Sequence, residues 1–312
     1  MKRCRSPPAA AAPVRPLSSV LRLQLVRRIP KQTLIRAGEE DPGIYGMSYN
    51  SARDELFLAD YANNVVRAMR VRDNAGDLRD VYRGPHDAFS QIWSVCHMSD
   101  SDTLLVCSSE HLLDLKVANW LVALSRNGSE WRAAQRVQID GMGEISCALS
   151  DSRVLIGQYN NTNMDLFRVE SGPRIASLHR IHVPERYEWF SAMCGSDTLV
   201  AMSYPMRLNS DNYKYVRVHR LRGDRLEEIA RIQLRMPDSL LWLADRLLVA
   251  DYDGKKQSDA VLEFEVSDTR LERRRELMTT SENILVCSLC AVNDGLAILD
   301  RNSTDILHYS FV

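Results

Sequence analysis

An all-β chain arranged as a six-bladed β-propeller is what three features of the 312-residue sequence predict. An apolar run of one kind recurs at nearly constant spacing. Each copy lies between two further strand-like runs. A lone strand near the start of the chain matches a piece that the last unit lacks. The register marks Leu56, Leu104, Val154, Leu199, Leu247 and Leu296 stand 48, 50, 45, 48 and 49 residues apart, which makes six units of one length.

The first unit shows why these are strands. In "DELFLADYANNVVRAMRV", Asp54 to Val71, the consecutive Leu56, Phe57 and Leu58 exclude a one-sided helix, and the half from Val65 onward alternates with a period near two. A hairpin with an Asn-rich turn satisfies both halves. The same run returns as "TLLVCS", "RVLIGQ", "TLVAMS", "RLLVAD" and "GLAILD". An apolar stretch precedes each copy ("GIYGMSYN" in the first unit, "ILVCSLCAV" in the last) and an alternating one follows. A fourth strand rich in Arg and Glu closes five units, as in "RLEEIARIQL" and "RLERRREL". Apolar inner strands suit burial between neighbouring sheets, and a charged fourth strand suits an outer edge. The sixth unit reaches Val312 without its fourth strand, while "LRLQLVRRI", Leu21 to Ile29, is unclaimed. Pairing the two closes the ring. The expected organisation is a disordered basic, Pro- and Ala-rich tail over 1–17 and one propeller domain over 18–312.

Composition narrows the function. Nine basic residues precede the first acid, Glu39, so the remainder carries 31 basic against 41 acidic residues, a body charge of about −10 that opposes a broad grip on nucleic acid. No apolar run reaches the roughly 18 residues of a membrane helix. The Arg-bearing, acid-free start has a faint presequence character. Six of the seven cysteines sit inside apolar runs and read as small buried hydrophobes of a reducing compartment such as the cytoplasm. In "CSLC", strand alternation sends Cys287 and Cys290 to opposite faces, against a metal or redox pair. A monomer is expected.

"LFLADYANNVVRAMRV" resembles an NHL repeat through Leu58, Ala59, Asp60, Asn63 and Arg67. "LLVADYDGKK" and "LAILDRNSTD" keep Asp251 and Asp300; the other units depart from it, with Ser108, Gln158 and Ser203. The aspartate and asparagine side chains are expected to satisfy turn amides. The resemblance implies a scaffold that binds peptide or RNA, or a calcium-assisted lactonase of the gluconolactonase and paraoxonase type. Fold alone does not choose.

The leading expectation is a non-enzymatic, protein-binding scaffold without cofactor. The long excursions "SSEHLLDLKVAN" and "SYPMRLNSDNYK" offer Leu112, Leu113, Arg207 and Tyr213 to a protein or peptide, because recognition concentrates on loops of a rigid ring. Tyr45, Trp93 and Trp189 are candidates for an aromatic rim, with packing between blades as the competing role. The alternative is a lactonase-like hydrolase holding calcium or another divalent ion on Glu144, Glu188 and Asn283, since a hard cation needs several oxygen ligands. These lie on the loops entering the innermost strands, with Gln91, Ser239 and Gly43 in equivalent places, and no innermost strand is expected to carry an internal acid.

Overall fold

The computed structural model describes residues 22–71, 78–85, 90–111, 117–141, 145–149, 152–157, 163–170, 172–182, 192–204, 214–253, 258–267, 269–280 and 284–312. The tail over 1–17 lies outside these residues. A strand, β1 (Leu23–Ile29), comes first, followed by a short 3-10 turn over Lys31–Leu34. Blade 1 is β2 (Ile44–Asn50), β3 (Glu55–Asp60), β4 (Val65–Arg70) and β5 (Arg79–Arg83). Blade 2 is β6 (Gln91–Met98), β7 (Thr103–His111), β8 (Val117–Asn127) and β9 (Glu130–Ile139). Blade 3 holds β10 (Ile145–Ala148), β11 (Arg153–Gly157), β12 (Asn163–Glu170) and β13 (Arg174–His182). Blade 4 holds β14 (Ala192–Ser196), β15 (Leu199–Tyr204), β16 (Tyr215–Arg222) and β17 (Arg225–Gln233). Blade 5 holds β18 (Pro237–Leu243), β19 (Arg246–Asp253), β20 (Ser258–Val266) and β21 (Leu271–Thr279). Blade 6 is β22 (Val286–Val292), β23 (Gly295–Asp300) and β24 (Ile306–Phe311), completed on its outer edge by β1.

The protein is therefore a six-bladed β-propeller, and the ring closes as the two chain ends require. β1 runs antiparallel to β24 from Leu23 opposite Phe311 to Ile29 opposite Ile306. Arg22 and Val312 exchange backbone hydrogen bonds of 3.1 and 2.9 Å beyond the strand ends. Every register mark falls on the second strand of its blade. That strand is the most sandwiched: β3 and β23 are buried at every position. The innermost strands have one side toward the central channel, and β2 is only half-buried over most of its length. Outer strands such as β9 and β17 are largely exposed.

Between each pair of neighbouring blades lies one apolar cluster, including one between blades 6 and 1. The core is thus a set of six radial slabs rather than one central mass, since the axis itself is open. Hydroxyls pin the innermost strands across these slabs. Ser48 Oγ accepts the amide of His97 at 2.8 Å, and Ser239 Oγ accepts that of Leu289 at 3.0 Å. The turn from first to second strand repeats a left-handed residue at Asp54, Asp102, Ser152, Asp197 and Ala244, a conformation that short polar side chains tolerate best.

Candidate functional site

The channel on the axis encloses about 660 Å³. Its wall mixes small polar residues of the innermost strands, Gly46, Ser48, Ser94, Ser146, Ser239 and Ser288, with apolar ones such as Met47, Met193, Leu240 and Trp242. Strand direction orients it. Innermost strands begin, and second strands end, at the same face, which also receives the turns between second and third strands.

At that face the ladder between first and second strands is interrupted by a β-bulge in four blades. Ile44 pairs with Asp60 but Gly46 pairs with Ala59, leaving Tyr45 extra. The same two-against-one count singles out Trp93, Asp238 and Cys287. A bulge frees a residue from the pleat and re-aims its side chain. Of the four residues released in this way, Tyr45, Asp238 and Cys287 line the channel, and Trp93 packs against Tyr45.

Tyr45 and Trp93, both expected from sequence as rim candidates, come together. Their ring centroids lie 5.9 Å apart, edge to face, and Tyr61 closes a triangle at 5.2 Å from Tyr45 and 5.0 Å from Trp93. The two rings divide the roles that were in competition. Trp93 is 8% exposed and donates its indole N–H to Ser109 Oγ at 2.9 Å, so it is a buried prop. Tyr45 is 55% exposed and forms the shelf. Trp189, Leu112, Leu113, Arg207 and Tyr213 lie outside the described residues, as do Glu144, Glu188 and Asn283. Of the equivalents of the last three, Gly43 donates its amide to Asp60 at 3.1 Å, and Gln91 pairs with Ser109 at the start of β6.

Two expectations are corrected here. Asp238 is an acid inside an innermost strand, because β18 starts at Pro237 rather than Ser239. Cys287 and Cys290 do not part to opposite faces: the bulge at Cys287 shifts the phase of alternation, and both pack into the cluster between blades 6 and 1. Burial pushes both thiols up to about 12, so they are neutral at physiological pH, and Cys287 Sγ donates weakly to Leu299 O at 3.6 Å. Among the described residues, no group of three or more His, Cys, Asp or Glu side chains is placed to hold a metal ion.

The aspartate of the repeat ties the second strand to the loop that leads into the innermost one. Asp60 accepts Gly43 N; Asp251 accepts Arg235 N at 2.9 Å and Met236 N at 2.7 Å; Asp300 accepts Leu285 N at 3.1 Å. The expected turn bonds exist as well, from Asn63 to Asp60 and from Asn302 to Asp300. In the second blade Ser108 replaces the aspartate and its hydroxyl is buried without a partner. The Trp93–Ser109 bond stands in for the missing tie.

Beside Cys287, the mouth is acidic. Asp238 lines the channel, and burial, aided by the charge of Asp251, raises it to about 6 against the pull of Arg301 and Lys214. Asp259, 1% exposed, is raised to about 7 by burial and by Asp238, Asp251 and Asp300, although Val286 N–H donates to it. The histidines and the basic outer strand of blade 5 are structural. His97 and His308 each pair with a turn aspartate, Asp102 at 3.2 Å and Asp294 at 3.1 Å. The basic run Arg270–Leu277 is laced with glutamates on the outer edge, Arg275 meeting Glu263 at 2.5 Å.

No protein-family profile matches the chain, and no curated protein sequence does. Solved structures do. The soluble aldose sugar dehydrogenase of Escherichia coli is similar with a TM-score of 0.59 at 9% identity, over 94% of this chain and 99% of that one. A chain in the mitotic checkpoint complex gives 0.57 at 10% identity over 99% and 98%, and U3-55K gives 0.53 at 10% over 92% and 98%. At such identity the likeness is one of fold, shared by an oxidoreductase and by a member of a protein assembly.

Proposed function

We propose that this protein is a non-enzymatic recognition ring that holds a protein or peptide segment at the mouth of its channel and performs no covalent chemistry of its own. The observation that carries this reading is Tyr45: an aromatic ring lifted out of the ladder by a bulge, 55% exposed, and braced by Tyr61 and Trp93. Rigid amphipathic rings lose little entropy on binding and dominate binding hot spots. The excursions bearing Leu112, Leu113, Arg207 and Tyr213 belong to the same proposal, because β7 and β8, and β15 and β16, which flank them, meet at this face. The NHL-like Asp60, Asn63 and Arg67 support it only by building the frame beneath the shelf.

The test uses a photo-reactive amino acid at Tyr45 in the full chain, with Asn293, on the opposite face, as control. Covalent capture of a defined protein from position 45 and not from 293 is expected. With that protein purified, Tyr45→Ala weakens binding about tenfold or more, the scale of losing one aromatic anchor, with unchanged thermal unfolding. Equal affinity of Tyr45→Ala and wild type would overturn the reading.

A further inference from the structure

The two sides of the channel mouth differ in chemistry. Blades 1 and 2 present rings, whereas blades 5 and 6 gather Asp238, Asp251, Asp259 and Asp300 near enough to repel one another. The hydrogen-bonding capacity of these carboxylates is unequally used. Asp251 and Asp300 are engaged by the loop amides already described, and Asp300 also accepts Ser303 Oγ at 2.6 Å. Asp259 is bound at one oxygen only: Val286 N–H points to Oδ2, while Oδ1 is sealed from solvent and meets no donor. The charges of Asp238, Asp251 and Asp300 all act on it. Asp238 projects from its bulge into the channel wall, and among the described residues no hydrogen bond reaches its carboxyl.

A buried acceptor without a donor is costly, and native structures keep few of them. Here one lies within electrostatic reach of a channel-lining carboxyl of the same charge. The cations of the surroundings do not resolve it. Arg301 on the channel wall and Lys214 act on Asp238 at a distance, and Arg235 and Arg273 act on Asp251. None of them donates to Asp238 or to Asp259 Oδ1. Both groups are raised toward neutrality, first by burial and then by the neighbouring carboxylates.

We propose that Asp238, backed by Asp259, is the subsite for a basic side chain, lysine or arginine, of the protein segment held at the channel mouth. This rests on the recognition reading above and names the chemistry of the partner. The shelf at Tyr45 bears an apolar part of the segment, and the acidic side takes its charge through a charge-assisted hydrogen bond to Asp238. The arriving cation favours the ionised carboxyls, so binding expels protons. Affinity rises as pH increases through the range in which Asp238 and Asp259 ionise.

The probe is a phage-displayed library of random dodecapeptides, selected on the full chain and in parallel on Asp238→Asn. Wild type is expected to select sequences sharing a Lys or Arg. A selected peptide resynthesised with norleucine in that place should bind wild type about tenfold or more weakly, a loss of roughly 1.4 kcal/mol. Asp238→Asn, an isosteric change whose folding is checked by thermal unfolding, should bind both peptides alike. Affinity of the basic peptide for wild type should climb from pH 5.5 to about 7.5, and the climb should shrink in Asp238→Asn. Selected peptides without a shared basic residue, or equal binding of the norleucine peptide, would sink the cation subsite and leave recognition at Tyr45 standing. If neither protein selects any peptide, both proposals fall.

Discussion

Asp60, Asp251 and Asp300 occupy one place in three blades, and each accepts an amide from the loop that leads into the innermost strand. Asp259 differs, because its second oxygen is buried without a partner. That difference has a measurable pH signature. Its folded pKa, about 7, lies above the ordinary value of 3.8, so the folded state holds the proton more tightly than the unfolded chain. Stability from this group is fully present below the ordinary value and is lost as pH rises toward about 7. Asp259→Asn keeps an acceptor for Val286 and turns a donor toward the neighbouring carboxylates. The variant should unfold at a higher temperature than wild type, by a margin that grows from about pH 5 to 7.5 and then levels; a margin independent of pH in a calorimetric series would contradict this. The turn bonds of the repeat aspartate were legible in the sequence, since Asn63 and Asn302 are its near neighbours. Its tie to the innermost strand was not, because the amide it meets lies 15 to 17 residues earlier in the chain. Asp238 was missed for a related reason: the apolar run starts at Ser239, which puts the acid one residue outside any strand drawn from hydrophobicity alone.

At the scale of elements, the segment from Pro30 to Gly43 joins the closing strand to blade 1, and one buried guanidinium fastens it. Arg67 is fully buried; it meets Glu39 of the segment at 2.5 Å and Asp60 of its own blade at 2.7 Å, and it donates to Leu34 O. Removing one partner from such a network leaves uncompensated buried charge, so Arg67→Met should cost about 3–5 kcal/mol in urea unfolding. A loss well under that would mean that Asp60 and Glu39 find other donors. Sequence reading picked out Arg67 by its repeat position, but not its partner Glu39, 28 residues upstream, since nothing local specifies a chain crossing. The bulges were equally hidden. Tyr45 and Trp93 could be named from residue type, whereas the two-against-one count that aims them is set by pairing with another strand, and the same count overturned the alternation argument for Cys287 and Cys290.

For the whole molecule, the spacing of the six register marks sufficed to give the number of sheets, and the mismatch between the chain's two ends gave the closure. Both signals are long-range and additive along the chain, which is why the architecture was readable when the mouth was not. β1 carries the test of that architecture. Ile29 is 1% exposed in the cluster between blades 6 and 1, and Asp305 accepts both Arg28 Nε and Lys31 N. Deleting residues 1–30 exposes the edge of β24 and opens that cluster, and should lower the unfolding temperature by about 10 °C or more. An unaltered melting curve would refute the seam.

The same seam sets a timetable for synthesis. Arg28 and Asp305 are 277 residues apart, and at about 5–20 residues per second the ribosome needs roughly 15 to 60 s to deliver the second after the first. Through that interval β1, whose Ile29 belongs to the cluster between blades 6 and 1, has no docking place. The outer edge of blade 6 therefore forms only after β24 has been synthesised.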